Sequence, residues 1–162
     1  VALNRAGARA AVAAWFAPGA VPGLCWVYTA FPRSIPVANY TSDMPANTLS
    51  GAVGIVHLVT SAEVRRSIGG AHGGKKHTTY DCELQIVGRS TQKLGEDAMA
   101  DFDAVIDGAV TRLRADRTLA SGDVFQAGEA YINVESAEPD FKLGLTWTWS
   151  AIKFDLSQFV NA

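Results

Sequence analysis

The chain carries only two cysteines, Cys25 and Cys82, among its 162 residues. Neither belongs to a Cys-x-x-Cys pair and no His/Cys spacing fits zinc, so no metal site is expected. Cys82 alternates with apolar residues, which predicts a reduced thiol inside a core. A Cys25–Cys82 disulfide stays open, because separation along the sequence does not fix distance in a fold. Long apolar runs are missing too: no stretch of about 18 such residues offers a membrane span. Charge of one sign is lacking, with 14 Lys and Arg against 16 Asp and Glu and a net charge of −2. The chain as a whole therefore has no nucleic-acid-binding signature, and any contact with DNA must come from a local patch. No Gly-x-Ser-x-Gly element places a nucleophile. No catalytic and no cofactor-binding residues are assigned.

What is present reads as one globular domain, residues 1–162. Apolar residues make up 48% and charged residues 19%, far from a disordered composition. The start, VALNRAGARAAVAAWFAPGA, has the basic residues of a leader but an apolar run that is short and mostly alanine. It is read as a helix, Asn4 to Phe16, in a protein made in the cytoplasm. Asn4 is the N-cap, and Val12, Trp15 and Phe16 form the inward stripe. Leu24 to Thr29 follows as an aromatic strand.

Residues 31–51 differ in kind. Pro32, Pro36 and Pro45 fall within fourteen residues, amid Asn and Ser turn chemistry. This predicts a long loop or arm, of the sort that often serves interaction. Val53 to Thr60 (VGIVHLVT) is apolar on both faces and predicts a doubly covered internal strand, with His57 as a hydrogen-bonded core histidine. Glu63 to Ile68 continues as strand. Tyr80, Cys82, Leu84 and Ile86 then alternate with Thr79, Asp81, Glu83 and Gln85, one face dry and one wet. The two strands predict a long hairpin.

The hairpin's expected tip is GGAHGGKK. Gly69, Gly74 and Lys75 spell Gly-x-x-x-x-Gly-Lys, but Lys76 stands where a phosphate loop needs Ser or Thr, and a strand follows where it needs a helix. Nucleotide binding is thereby excluded. What remains is a basic cluster of Arg65, Arg66, His72, Lys75, Lys76 and His77 around Gly69, Gly70, Gly73 and Gly74. Three readings stay open: contact with a phosphate backbone, contact with an acidic protein surface, or a solvated flexible loop.

Leu94 to Leu113 has apolar residues at three- and four-residue steps and predicts a helix of roughly 30 Å. Asp97, Asp101, Asp103 and Asp107 in its first half, and Arg112, Arg114 and Arg117 at its end, match the helix dipole and predict a solvated face. Gly122 to Glu135 predicts short strands around a Gly128 turn. Phe141 to Trp149 alternates strictly, then resumes on the other parity at Ile152, which predicts a bulge near Ser150–Ala151. The four tryptophans are read most simply as core, with an interface anchor as the alternative for one of them. The sum is an α+β domain: a mostly antiparallel β-sheet, two helices packed on one face, and a long hairpin with a flexible tip.

This order of elements resembles the tail terminator proteins of long non-contractile-tailed bacteriophages and related gene-transfer particles. The features carrying the likeness are the N-terminal helix, LCWVYTAFP, RRSIGGAHGGKKHTTYDCELQIVG, the helix EDAMADFDAVIDGAVTRLRAD, FQAGEAYINV and LGLTWTWSAIKF. The resemblance spans most of the chain. It implies a non-enzymatic virion protein without cofactor, assembled in the host cytoplasm and seated at the head-proximal end of the tail. Such a protein forms a homohexameric ring, ends tube polymerisation and provides the surface that docks to the head. Its partners are its own copies, the tail tube protein and a neck or connector protein. DNA passes through the lumen without sequence-specific binding, and no membrane is involved. The resemblance makes the basic tip a candidate lumen or partner contact. It makes the arm, with Pro32, Arg33, Ile35, Pro36, Tyr40, Met44 and Pro45, a candidate inter-subunit contact. The alternatives are a head–tail connector or tube subunit and, from another class, a small ligand-binding or enzymatic domain.

Overall fold

A computed structural model of the chain describes residues 4–40, 51–65, 74–90, 95–120, 126–142 and 144–161. Its first helix, α1 (Arg5–Trp15), starts where Asn4 predicts. The Asn4 side-chain oxygen accepts the N–H of Gly7 at 2.9 Å, which satisfies one of the helix's unpaired donors. Strand β1 (Leu24–Tyr28) leads to a 3-10 turn at Val37–Tyr40. Strands β2 (Gly51–Arg65) and β3 (Lys75–Ser90) pair antiparallel from Gly51↔Arg89 to Arg65↔Lys76. Helix α2 (Gly95–Ala115) precedes β4 (Gln126–Ser136), β5 (Asp140–Lys142) and β6 (Leu145–Asn161).

The sheet order is β1-β2-β3-β6-β4, with β5 also on β6. Only β1–β2 is parallel; the other pairings are antiparallel. The fold is α+β, mostly sheet, with two helices among the described residues. No described helix is long and apolar enough to cross a membrane.

One buried cluster organises these elements. Val12 and Phe16 from α1, and Phe102, Ile106 and Leu113 from α2, join Cys82, Leu84, Ile86, Ile152, Phe154 and Leu156 of the sheet. Cys82 is the buried thiol its alternation predicts, and neither cysteine forms a disulfide. Burial pushes the Cys82 thiol far above its ordinary range, so it stays protonated. The two helices are also tied at their C-terminal ends. Trp15 Nε1–H donates to the Arg112 carbonyl at 3.2 Å, and Arg112 Nε–H donates to the Trp15 carbonyl at 2.7 Å. The guanidinium carbon lies 4.2 Å from the Trp15 ring centre, a cation–π contact. Asp97, Asp101, Asp103 and Asp107 are exposed, the solvated face that their spacing predicts.

Four expectations need correction. The predicted bulge near Ser150–Ala151 does not exist: β3 and β6 stay in unbroken register from Lys75↔Asn161 to Ser90↔Thr146. The parity change has another cause. Ile152, Phe154 and Leu156 enter the buried cluster, whereas Trp147 and Trp149 stand on the opposite face of the same straight strand. The alternation from Phe141 to Trp149 is likewise not one strand, because Gly144, at φ +72°, turns the chain between β5 and β6. The region around Gly128 is a single strand, β4, whose register on β6 shifts between Ala127 and Ile132. Finally, none of the four tryptophans is fully buried, and Trp26 is 42% exposed.

Candidate interaction surface

Residues paired directly across strands share a face. On β3 the even-numbered side chains from Thr78 to Ser90 are buried, and the odd-numbered ones, partly covered, mark the opposite face, on which Val53, Ile55 and Ala151 are themselves buried. The register then lays that face out in rows.

At one end the rows are aromatic. Arg89 pairs with Trp147, and Val53, Val87 and Trp149 form the next row, extended by Trp26 on β1. Tyr28 pairs with Ile55 in the row after that. Tyr40 folds back here: its ring meets Trp147 edge-on at 6.3 Å, and the Arg89 guanidinium sits 5.1 Å from its centre. Burial raises the Tyr40 phenol's pKa and the nearby Arg89 charge opposes the shift. Phe31, 57% exposed, packs edge-on against His57 at 5.3 Å.

The middle rows are ionic. His57, Glu83 and Lys153 align across three strands. Lys153 Nζ lies 2.7 Å from Glu135 and 3.7 Å from Glu83. His57 is not the core histidine that VGIVHLVT predicts. Its side chain is 42% exposed, and its Nδ1 lies 3.7 Å from Glu83 without a hydrogen bond. β1 stops opposite Ile55, and the run of β2 residues buried on both faces ends at Val56.

One row further, Asp81 and Asp155 stand directly opposite each other. Like charges in that position repel, and each is offset by donors. Tyr131 Oη–H donates to Asp81 at 2.8 Å, and Thr60 donates a second bond. Asp155 accepts the backbone N–H groups of Ala130 and Tyr131 at 2.9 and 3.2 Å, which fastens the irregular stretch of β4. The Thr60 and Tyr131 hydrogen bonds hold the Asp81 carboxyl below the usual carboxylate range. A depressed folded-state value adds stability that is present above the unfolded-state pKa and is lost as pH falls through the folded one. Asp81→Asn is therefore expected to flatten the stability profile below about pH 4. Urea midpoints across pH 2–5 would test this, and a slope equal to that of the parent would refute it.

At the far end Val64, His77 and Phe159 form one row, with the His77 and Phe159 rings 4.7 Å apart. Next to this row Arg65 pairs with Lys76, two residues of the basic cluster. Arg66, Gly69, Gly70, His72 and Gly73 lie outside the described residues, as do Met44 and Pro45 of the arm. Gly74 directly precedes β3, and Arg65 and Lys75 belong to the paired strands. Lys76 Nζ is 2.6 Å from Glu63 in an exposed pair. Such pairs contribute at most about 1 kcal/mol. Lys75→Ala with Lys76→Ala should leave the thermal midpoint within a few degrees of the parent; a larger drop would give these lysines a structural role. Of the arm residues, Arg33 and Pro36 are exposed, Pro32 and Ile35 are partly covered, and Tyr40 is buried against its own chain. The structure thus separates the described parts of arm and tip: Tyr40 of the arm lies by the aromatic rows, and Lys76 of the tip pairs with Arg65 next to the row of Val64, His77 and Phe159.

The aromatics of the face away from the buried cluster, Arg89 and Phe159 were not singled out as a surface by sequence reasoning. The signal was present in β6, where apolar residues occupy both parities of an unbroken strand. On the other side of the sheet, α2 and the strand ends enclose a groove of about 360 Å³ of empty space, mouth included, lined by Gly88, Phe102, Thr146 and Thr148 among others. Among the described residues no group of three or more His, Cys, Asp or Glu side chains is placed to hold a metal. Compared with known proteins, the chain matches no family model and no curated protein.

Proposed function

We propose that this chain is a virion structural protein that caps a phage tail tube as a ring, ends tube polymerisation and offers the docking surface for the head. The observation that carries the reading is the aromatic row of the sheet face away from the buried cluster, where Trp26 is exposed in one row with the partly covered Trp149, together with Phe31, exposed against His57. Aromatic side chains exposed on one face serve protein contact more often than chemistry. The resemblance of the sequence to tail terminators supports the same reading. In this reading both helices pack on one face, and the β2–β3 hairpin carries a flexible basic tip toward the lumen or a neighbour. The arm contacts an adjacent subunit, and six copies form the ring. The partners are the tube protein, a neck or connector protein, and DNA in transit. The protein is not an enzyme, needs no cofactor and resides at the head-proximal end of the tail.

The test is location. Particles produced from the genome that encodes the chain should contain it, and antibody labelling should mark the head–tail junction. Labelling along the whole tube would favour a tube subunit. Absence from purified particles would overturn the virion reading. A small ligand-binding domain is the second reading, favoured only by the groove beside Phe102. A ligand that protects the chain from thermal unfolding and loses its effect on Phe102→Leu would support it.

A further inference from the structure

Two hydroxyls of β6 are buried without a partner. Thr146 and Thr148 are 6% and 8% exposed, and neither hydroxyl has a hydrogen-bond partner among the described residues. A buried hydroxyl left unpaired costs free energy, so such groups are normally satisfied. Both residues line the groove beside α2. Thr148 pairs with Gly88, which pairs with Ala52, and Thr146 pairs with Ser90 in the next row of that face. Gly88 lets its neighbours come close: a Cβ there would stand 2.3 Å from the Thr148 hydroxyl oxygen and 2.6 Å from the Phe102 ring. The Thr148 hydroxyl is thus held beside a ring edge that offers it no acceptor.

We infer that this groove binds a small neutral ring compound bearing a hydroxyl or carbonyl group. Thr146 and Thr148 form its hydrogen-bonding end, and Phe102 forms its apolar wall. A hydroxyl both donates and accepts, so the pair serves either group. The flat face of a ring suits the Phe102 side chain. The space, about 360 Å³ with the mouth included, is at the small end for a ligand site and fits one ring rather than a nucleotide. The charged residues on the border, Arg89 and Asp101, are of opposite sign, so the rim selects no charge. Burying a charge on the ligand without a counter-ion would be costly. The inference rests on the second reading, that the groove admits a ligand, and adds what that ligand is.

Phenol and benzene, the same ring with and without a hydroxyl, are the probes. Titrated into the full chain and followed by NMR, phenol should shift the Ala98 and Val105 methyl resonances saturably, with a dissociation constant of about a millimolar for so few heavy atoms. Benzene should bind about tenfold more weakly, because it leaves both hydroxyls unpaired. Thr146→Val with Thr148→Val should abolish that difference. The same variant should unfold at or above the parent temperature, since no internal hydrogen bond is lost. Benzene binding the parent as tightly as phenol would leave a ligand groove and overturn its hydrogen-bonding chemistry. A double variant that keeps the preference for phenol, or that unfolds well below the parent, would assign the hydroxyls another role and overturn it as well. If neither probe moves those resonances at tens of millimolar, the groove holds water only, and the ligand-binding reading falls with the inference. None of these outcomes decides the tail-capping role, which labelling of the particle reads separately.

Discussion

Phe154→Ala should destabilise the chain by about 3–5 kcal/mol, the cost of deleting a fully buried aromatic ring. Phe154 is completely buried in β6, the strand between β3 and β4, and pairs with Cys82 on one side and Ile132 on the other. Its neighbours belong to three strands of one hydrogen-bonded sheet, so they cannot close over the lost ring without breaking register. At about 2–4 °C per kcal/mol for a domain of this size, the thermal midpoint should fall by roughly 6–20 °C. Calorimetry or thermal circular dichroism reads this directly. A drop of a degree or two would mean that the cluster is not the core of the domain.

Gly51→Ala should be about as damaging, for the opposite reason. A Cβ on Gly51 would stand 1.7 Å from the Tyr40 carbonyl oxygen and 2.9 Å from the Cys25 sulfur. The first obstacle is backbone, so no rotamer relieves it. That carbonyl also accepts the Cys25 thiol at 3.0 Å, and Tyr40 is held by Trp147 and Arg89, so retreat disturbs three contacts. Overpacking costs typically about 1–3 kcal/mol, and a backbone clash belongs at or beyond the upper end. The expected signature is a large loss of stability with a change in tryptophan fluorescence, because Trp147 lies against Tyr40. Parent-like stability would show that the Val37–Tyr40 turn does not pack over β2 as described.

Gly88 carries the same constraint on the buried side of the sheet. A Cβ there would come within 2.6 Å of the Phe102 ring and 2.3 Å of the Thr148 hydroxyl. In the sequence Gly88 reads only as the end of an alternating strand. Its smallness is required by a helix that arrives later in the chain.

Local patterns predicted the elements well. Asn4 marked the start of α1, three- and four-residue spacing marked α2, and alternation assigned the dry face of β3. These succeed because helix and strand periods act over a few residues and need no knowledge of neighbours. The tryptophans, His57 and the supposed bulge in β6 were misjudged for a common reason. Each depended on what lay over a given face of the sheet.

The sequence by itself determined an α+β chain of strands and two amphipathic helices, with Cys82 as a core thiol and a basic cluster near the β2–β3 connection. Only the tertiary structure decided which faces of those strands are covered. It set β1 to end at Tyr28, left His57 half-exposed, and placed Trp147 and Trp149 on the face away from the buried cluster. Strand order and register are long-range choices, fixed by hydrogen bonds between segments far apart in sequence. No local period encodes them.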